Sequence, residues 1–137
     1  MKNVLIRKYE NSDKLSLSTL LNEHFQDINI NFLENNKTTF SIVAITDSKI
    51  VGHLHIDIIN DSFKSIKFGY VSYVCVASEY QNKGIGNLLL KEIDKIAEEE
   101  NLTYYELTSR KSRKAARHLY LKNGFVIRES TLFKKVY

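Results

Sequence analysis

The sequence predicts a mixed α/β domain, a largely antiparallel sheet with helices on both faces. Three observations carry that expectation: a hairpin pattern over residues 40–59, a strand-helix-strand unit over residues 68–108, and a second helix stopped by Asn123-Gly124.

Residues 4–9 read as a first strand. Ser12-Asp13 then offers side-chain oxygens suited to the start of a helix carrying Leu15, Leu17, Leu20 and Leu21. Residues 25–33 fit either a short helix or a loop. Residues 40–45 and 50–59 are strands joined by Thr46-Asp47-Ser48-Lys49, a polar link of hairpin length, so they should pair antiparallel. Residues 68–77, rich in aromatic and β-branched side chains, form a further strand. From Gly84 the period changes: Ile85, Leu88, Leu89, Ile93, Ile96 and Ala97 recur at helical spacing with charged residues between them, and the helix should end near Asn101. Residues 103–108 read as a strand and residues 112–122 as a helix, after which Gly124 supplies the left-handed residue that commonly ends one. Segments 125–128 and 132–136 read as strands that finish the sheet. A strand, a helix and a strand in succession from 68 to 108 make a crossover, which places the two strands parallel with the helix on one face.

Composition bounds the function. A chain of 137 residues, 43% hydrophobic and 26% charged, can bury one real core and is expected to form one domain over residues 1–137. No apolar run approaches a bilayer-spanning length, and the start of the sequence turns charged too soon for a signal peptide. A cytoplasmic protein with no membrane partner is expected. Cys75, the only cysteine, cannot form an internal disulfide. The net charge of +4 is modest, and the one basic cluster, Arg110, Lys111, Arg113, Lys114 and Arg117, suggests an anionic ligand. It is too short a basic surface for duplex nucleic acid, and no reading module or zinc spacing accompanies it.

Chemistry concentrates in Val74-Cys75-Val76-Ala77-Ser78-Glu79-Tyr80-Gln81-Asn82-Lys83-Gly84-Ile85-Gly86-Asn87, where a strand ends, a glycine-bearing turn follows and an amphipathic helix begins. The first amides of a helix lack intrahelical partners and lie at the positive end of its dipole, so they can bind an anion. Gly84 and Gly86 lack side chains that would keep a diphosphate from the backbone. The spacing matches neither a P-loop nor a three-glycine dinucleotide site.

Gln81-Asn82-Lys83-Gly84-Ile85-Gly86 resembles the acetyl-CoA signature of the GNAT acetyltransferase superfamily: Gln or Arg, two residues, Gly, one residue, then Gly or Ala. Tyr105-Glu106-Leu107-Thr108-Ser109, followed by the helix ending Tyr120-Leu121-Lys122-Asn123-Gly124-Phe125, is similar to the family's closing strand and its Tyr, three residues, Gly-Phe ending. The resemblance implies the GNAT fold, with a splayed parallel strand pair, and acetyl-CoA as co-substrate. It implies that the splay leaves backbone groups of Val74 and Val76, with Cys75 between them, free to face the pantetheine arm. The Val74 amide would meet the thioester oxygen, where negative charge develops. Amides of Gln81, Asn82, Lys83, Gly84, Ile85, Gly86 and Asn87 would hold the diphosphate, assisted by the side chain of Gln81 or Lys83. Tyr120 matches the tyrosine the family uses to protonate the departing thiolate. Where the family commonly has an asparagine contacting CoA, this sequence departs from it near Arg113; Arg110, Lys111 or Arg113 would meet CoA phosphates instead.

An attacking amine must lose its proton. Glu106, beside the splay with Tyr70, Ser72 and His53 behind it, is the leading base, and a water chain is the alternative. His53, His55 and Asp57 alternate on one strand face, but without a second ligand segment they read as a solvent- or cleft-facing polar stripe, and no metal is expected. Cys75 reads as a small buried hydrophobe, which favours direct transfer over an acyl-cysteine route. The expected activity is acetyl-CoA-dependent N-acetylation of a primary amine, of a small molecule such as an amino acid, amino sugar or polyamine. Acetylation of a protein N-terminus or lysine, or acyl-CoA binding without catalysis, are the rivals. Acceptor specificity is expected in residues 23–37 and 60–67, and exposed closing strands permit a homodimer.

Overall fold

A computed structural model describes residues 3–137. In chain order the elements are β1 (Leu5–Lys8), α1 (Lys14–His24), β2 (Thr39–Thr46), β3 (Lys49–Asp61), β4 (Ile66–Val76), α2 (Ile85–Glu100), β5 (Tyr105–Glu106) and α3 (Lys114–Lys122). The five strands lie in sequence order, β1 to β4 antiparallel and β5 parallel to β4. A mixed α/β fold with helices on both faces is thus what forms. Residues 25–33 contain no helix; that segment is the loop of the two options.

The β2–β3 hairpin turns on Asp47 and Ser48, with φ of 52° and 60°. Two successive left-handed residues give the turn whose twist matches that of the strands. α1 is preceded by a short turn, Asn11–Asp13, held by Asp13. The Asp13 carboxylate accepts the Glu10 amide at 2.8 Å and a fork from Arg7 at 2.7 and 2.9 Å. That hydrogen-bonded pairing with Arg7 is the main reason the Asp13 carboxyl titrates below its usual range, against the opposing effect of burial. A lowered carboxylate contributes stability above its unfolded value and loses it as the pH falls through the folded one. Asp13→Asn should therefore lose about 2 kcal/mol at neutral pH. In strong acid the variant and the parent should converge, a pattern that urea melts at the two pH values would read.

Two layers of side chains cover the sheet. On one face α1 supplies Leu17, Leu20 and Leu21 against Val43, Ile50 and Cys75. On the other, α2 supplies Ile85, Leu89, Leu90, Ile93 and Ile96 against Ile42, Val51, Leu54, Ile56, Val71 and Val74. Each such leucine or isoleucine, removed from water, contributes roughly 1.5–3 kcal/mol. The periodic pattern is correct in phase but includes one exposed leucine on each helix and omits one buried leucine on α2. Leu15 is exposed on α1, and on α2 Leu88 is partly exposed while Leu90 is buried. No helix among the described residues is long and apolar enough to cross a membrane.

The end of the chain departs from expectation. Segments 125–128 and 132–136 are coil, not strands, and Val126, Ile127, Leu132, Phe133 and Val136 are exposed. β5 explains why: only Tyr105 and Glu106 are strand, paired with Gly69 and Tyr70, where residues 103–108 were expected. An edge two residues long offers a following strand almost no ladder to join.

Candidate active site

The site lies where β4 leaves its parallel neighbour. β5 meets β4 only at Gly69 and Tyr70, so residues 71–76 have no strand partner on that edge among the described residues. At the meeting point there is no room for a side chain: a Cβ on Gly69 would overlap Cδ1 and Cε1 of the Tyr105 ring. The Tyr105 hydroxyl donates to the Ile93 carbonyl at 2.8 Å, tying the junction to α2.

Past the junction β4 carries an extra residue. The register with β3 runs His55 opposite Ser72 and then His53 opposite Cys75, so Tyr73 and Val74 together face a single residue. Tyr73 takes φ of 51° there, a left-handed conformation unusual for an aromatic residue and typical of a bulge. The turn of chain bends β4 away and brings Val74 onto the α2 face, in contact with its core. Nothing in the run Tyr73-Val74-Cys75-Val76 signals this, because apolar residues at every position hide a slip in alternation.

Beyond β4 the turn Ser78–Tyr80 leads to Gly84 and α2. Gly84 has φ of 84° and caps α2 without a side-chain bond, and no acidic residue occupies the first turn. The first bond of the helix runs from the Leu88 amide to the Gly84 carbonyl at 3.1 Å, leaving the amides of Ile85, Gly86 and Asn87 without intrahelical acceptors. A Cβ on Gly84 would meet nothing within 4 Å, so the approach there is open. Gly86 has a packing reason to be small: a Cβ would come within 2.7 Å of Leu119 Cδ2, so its bareness lets α3 pack on α2. Of the flanking side chains, Lys83 extends over the Tyr80 ring, whose hydroxyl donates to Asp47 at 2.7 Å. Asn87 Oδ1 accepts from the Asn123 side-chain Nδ2 at 2.9 Å, linking the start of α2 to the end of α3.

Two carbonyls expected to be free have donors. Gln81 Nε2 donates to the Val76 carbonyl at 3.1 Å, so this side chain turns toward the strand and not toward the glycine turn. Arg113 Nη2 reaches the Val74 carbonyl at 3.5 Å. Arg113 therefore sits at the bulge, where its guanidinium lies 6.0 Å from the Phe25 ring, which in turn meets Tyr73 edge-on at 5.1 Å. Tyr120 is buried on α3 and packs edge-on against Phe125. Burial raises its phenol above the usual value, the Arg113 charge draws it back, and Cys75 adds a small upward push. Those electrostatic partners place Tyr120, Arg113 and Cys75 in one neighbourhood. Cys75 itself is pushed up to about 12 by burial, which keeps it a thiol at neutral pH and unsuited to nucleophilic attack. A cleft of about 460 Å³ lies beside Asp61, Lys67 and Asn101, and none of its lining residues belongs to this arrangement.

Residues 5–125 match the acetyltransferase (GNAT) family. The chain belongs to the GNAT acetyltransferases. Solved structures with the same fold include a ribosomal-protein-alanine N-acetyltransferase from Brucella melitensis biovar Abortus 2308, 20% identical over 98% of this chain and 100% of that one, with a TM-score of 0.85. An aminoglycoside acetyltransferase from an uncultured soil metagenomic sample is 18% identical over 98% and 95% of the two chains, TM-score 0.84. A transcriptional regulator from Bacillus halodurans C-125 is 20% identical over 98% and 100%, TM-score 0.85. No curated protein matches the chain.

Within the GNAT frame the remaining candidates take definite places. Glu106 pairs in register with Tyr70 at the junction, and its carboxylate lies 3.6 Å from Arg128 on the exposed coil. His53 is not behind it but one strand further in, on β3. The stripe His53, His55 and Asp57 corrects a second expectation in part: the Asp57 side chain is 43% exposed at its outer end, but His55 and His53 run inward beneath the surface. His53 is 2% exposed, and its Nδ1 lies 2.8 Å from the Tyr73 carbonyl while its Nε2 lies 2.8 Å from Ser41 Oγ. Ser41 Oγ continues to His55 Nδ1 at 2.8 Å, His55 Nε2 to Thr39 Oγ1 at 2.9 Å, and the Thr39 hydroxyl donates to Asp57 at 2.6 Å. Burial lowers His53 to about 4, so it is a neutral imidazole. Among the described residues no three His, Cys, Asp or Glu side chains are grouped to hold a metal ion. Sequence reading missed the Tyr73 bulge and the place of Arg113 across it. The alternation of His53, His55 and Asp57 was the available signal for the polar row.

Proposed function

We propose that this GNAT chain transfers the acetyl group of acetyl-CoA to the primary amine of a small molecule, by direct attack with both bound. The observation that carries the reading is the uncapped, acid-free start of the 16-residue helix α2 at the mouth of the gap beside β4. Unpartnered amides and the positive end of a helix dipole suit a diphosphate. The open space at Gly84 suits its close approach.

Amides from Gln81 to Asn87 would hold the diphosphate, with Lys83 swinging from Tyr80 to join them. The pantetheine arm would lie along Val74, Cys75 and Val76, displacing the Gln81 and Arg113 donors from the Val76 and Val74 carbonyls. Acetyl-CoA supplies an acyl group already activated as a thioester. The chain does the rest. The Val74 amide donates to the acyl oxygen as charge grows there, a stabilisation that needs no reorganisation at the moment of reaction. Tyr120 returns a proton to the leaving sulfur. Glu106, released from Arg128, takes the proton of the amine, directly or through water.

One structural neighbour is an aminoglycoside acetyltransferase matched over 95% of its length, which supports a small amine as the acceptor of a domain of this build. Protein acetylation is the second reading, supported by the neighbour that acts on a ribosomal-protein alanine. Thiol release from acetyl-CoA, followed across amino acids, amino sugars, polyamines and short peptides, separates them. Turnover with at least one small amine and none with peptides is expected. Turnover on peptides alone would transfer the assignment to protein substrates, and CoA binding with no turnover on any amine would make the chain a sensor.

A further inference from the structure

We propose that His53 is a positioning residue that orients the Val74 amide, through a hydrogen bond to the carbonyl of the same peptide group. The inference rests on the acetyl-transfer reading for its function, but its geometry stands on its own.

A backbone carbonyl in a sheet ordinarily lies in the sheet plane and meets a neighbouring strand. At the bulge the Tyr73 carbonyl instead meets a side chain, His53 Nδ1, at 2.8 Å. The described peptides are all trans, and in a planar trans peptide the C=O and the following N–H point in opposite directions. Pinning the Tyr73 oxygen on His53 therefore turns the Val74 N–H away from His53 and from β3, toward the side where β4 has no partner. The register of β3 and β4 breaks at this peptide, two residues facing one, and the His53 bond supplies an anchor at the break.

The ring can do this only as one tautomer. A carbonyl cannot donate, so Nδ1 must carry the proton and Nε2 must accept. Ser41, fully buried, meets that need: its hydroxyl donates to His53 Nε2, and its oxygen is left to accept from His55 Nδ1. Thr39 and Asp57 hold His55 from its other side. The tautomer of His53 is thus set at its inner end, where the Tyr73 carbonyl requires a donor and Ser41 supplies the proton to Nε2. Burial keeps the ring neutral, and a neutral ring has a single N–H to place.

Asparagine sets its side-chain NH₂ close to where a histidine carries Nδ1, and glutamine sets it close to Nε2. His53→Asn should therefore keep the bond to Tyr73 and retain kcat within a few-fold, whereas His53→Gln should lower kcat about 100-fold, as the loss of an oxyanion donor does. The KM for acetyl-CoA should change far less than kcat in His53→Gln, because the diphosphate is held at α2, away from the bulge, and only the arm passes it. Two readings need no activity. Nitrogen-15 spectra of the unsubstituted protein should show His53 protonated at Nδ1 and bare at Nε2, and the Val74 amide resonance should move in His53→Gln and hold in His53→Asn. An Nε2–H tautomer, or equal losses in the two variants, would overturn the proposal; if neither variant folds, the ring spectrum decides alone. Absence of turnover in the unsubstituted protein would remove the acetyl-transfer reading and leave the spectroscopic result standing.

Discussion

Tyr120→Phe is expected to lower kcat about 100-fold while leaving the KM for acetyl-CoA within about three-fold, as loss of a general acid does. The phenyl ring of the variant keeps the edge-on packing on Phe125 and the place in the α2-face core, so melting should be nearly unchanged. What it removes is the hydroxyl. A phenol near 10 is already a weaker acid than a thiol near 8.5, so giving its proton to a thiolate is uphill by roughly 2 kcal/mol. Burial raises Tyr120 further, and Arg113 opposes that rise. Because the raised phenol stays protonated throughout the neutral range, the parent should show no loss of activity from Tyr120 ionisation between about pH 6 and pH 9. Steady-state kinetics on both proteins would check both statements. A variant as fast as its parent would mean that water, not Tyr120, protonates the sulfur.

Gly69→Ala should destabilise the fold by about 1–3 kcal/mol, the usual effect of forcing volume into a packed site. The added methyl overlaps the Tyr105 ring, and the ring cannot simply swing aside without breaking its hydroxyl's bond to Ile93. β5 consists of the two residues at this junction, so displacing one of them undoes the parallel pair. Tyr105→Leu on the Gly69→Ala background should recover part of the loss, a non-additivity that urea melts of the four proteins would reveal. Strict additivity would mean that the two positions do not press on each other.

The sequence announces the elements that local chemistry specifies. Asp47-Ser48 is polar and lies between two β-branched runs, and it turns where expected. The period from Ile85 to Ile96 is helical, and Gly84 and Asn101, both left-handed, bound the helix it predicts. Family resemblance points to the α2 start and to Tyr120; the structure leaves the first amides of α2 without intrahelical acceptors and buries Tyr120 near Arg113 and Cys75. What stays hidden depends on tertiary partners. The bulge at Tyr73 needs a count of residues on two strands at once, and local alternation does not carry it. That Gly86 must also be bare for packing shows only when Leu119 is seen against it. Arg113 reads as one of a basic cluster, and only the fold brings it across to Val74. The apolar residues of the last segments have strand-like composition, but composition cannot supply an edge to pair with, and β5 is too short to do so.

The two sides of the sheet should drift differently under mutation. Against α2 the contacts are apolar and without direction, so leucine, isoleucine and methionine can replace one another there at modest loss if volume is kept. Beneath the other surface, His53, Ser41, His55 and Thr39 are joined by hydrogen bonds that depend on direction. A single change in that row strands its neighbours, so tolerated variants should arise there as matched sets, whereas the oily layer accepts them singly.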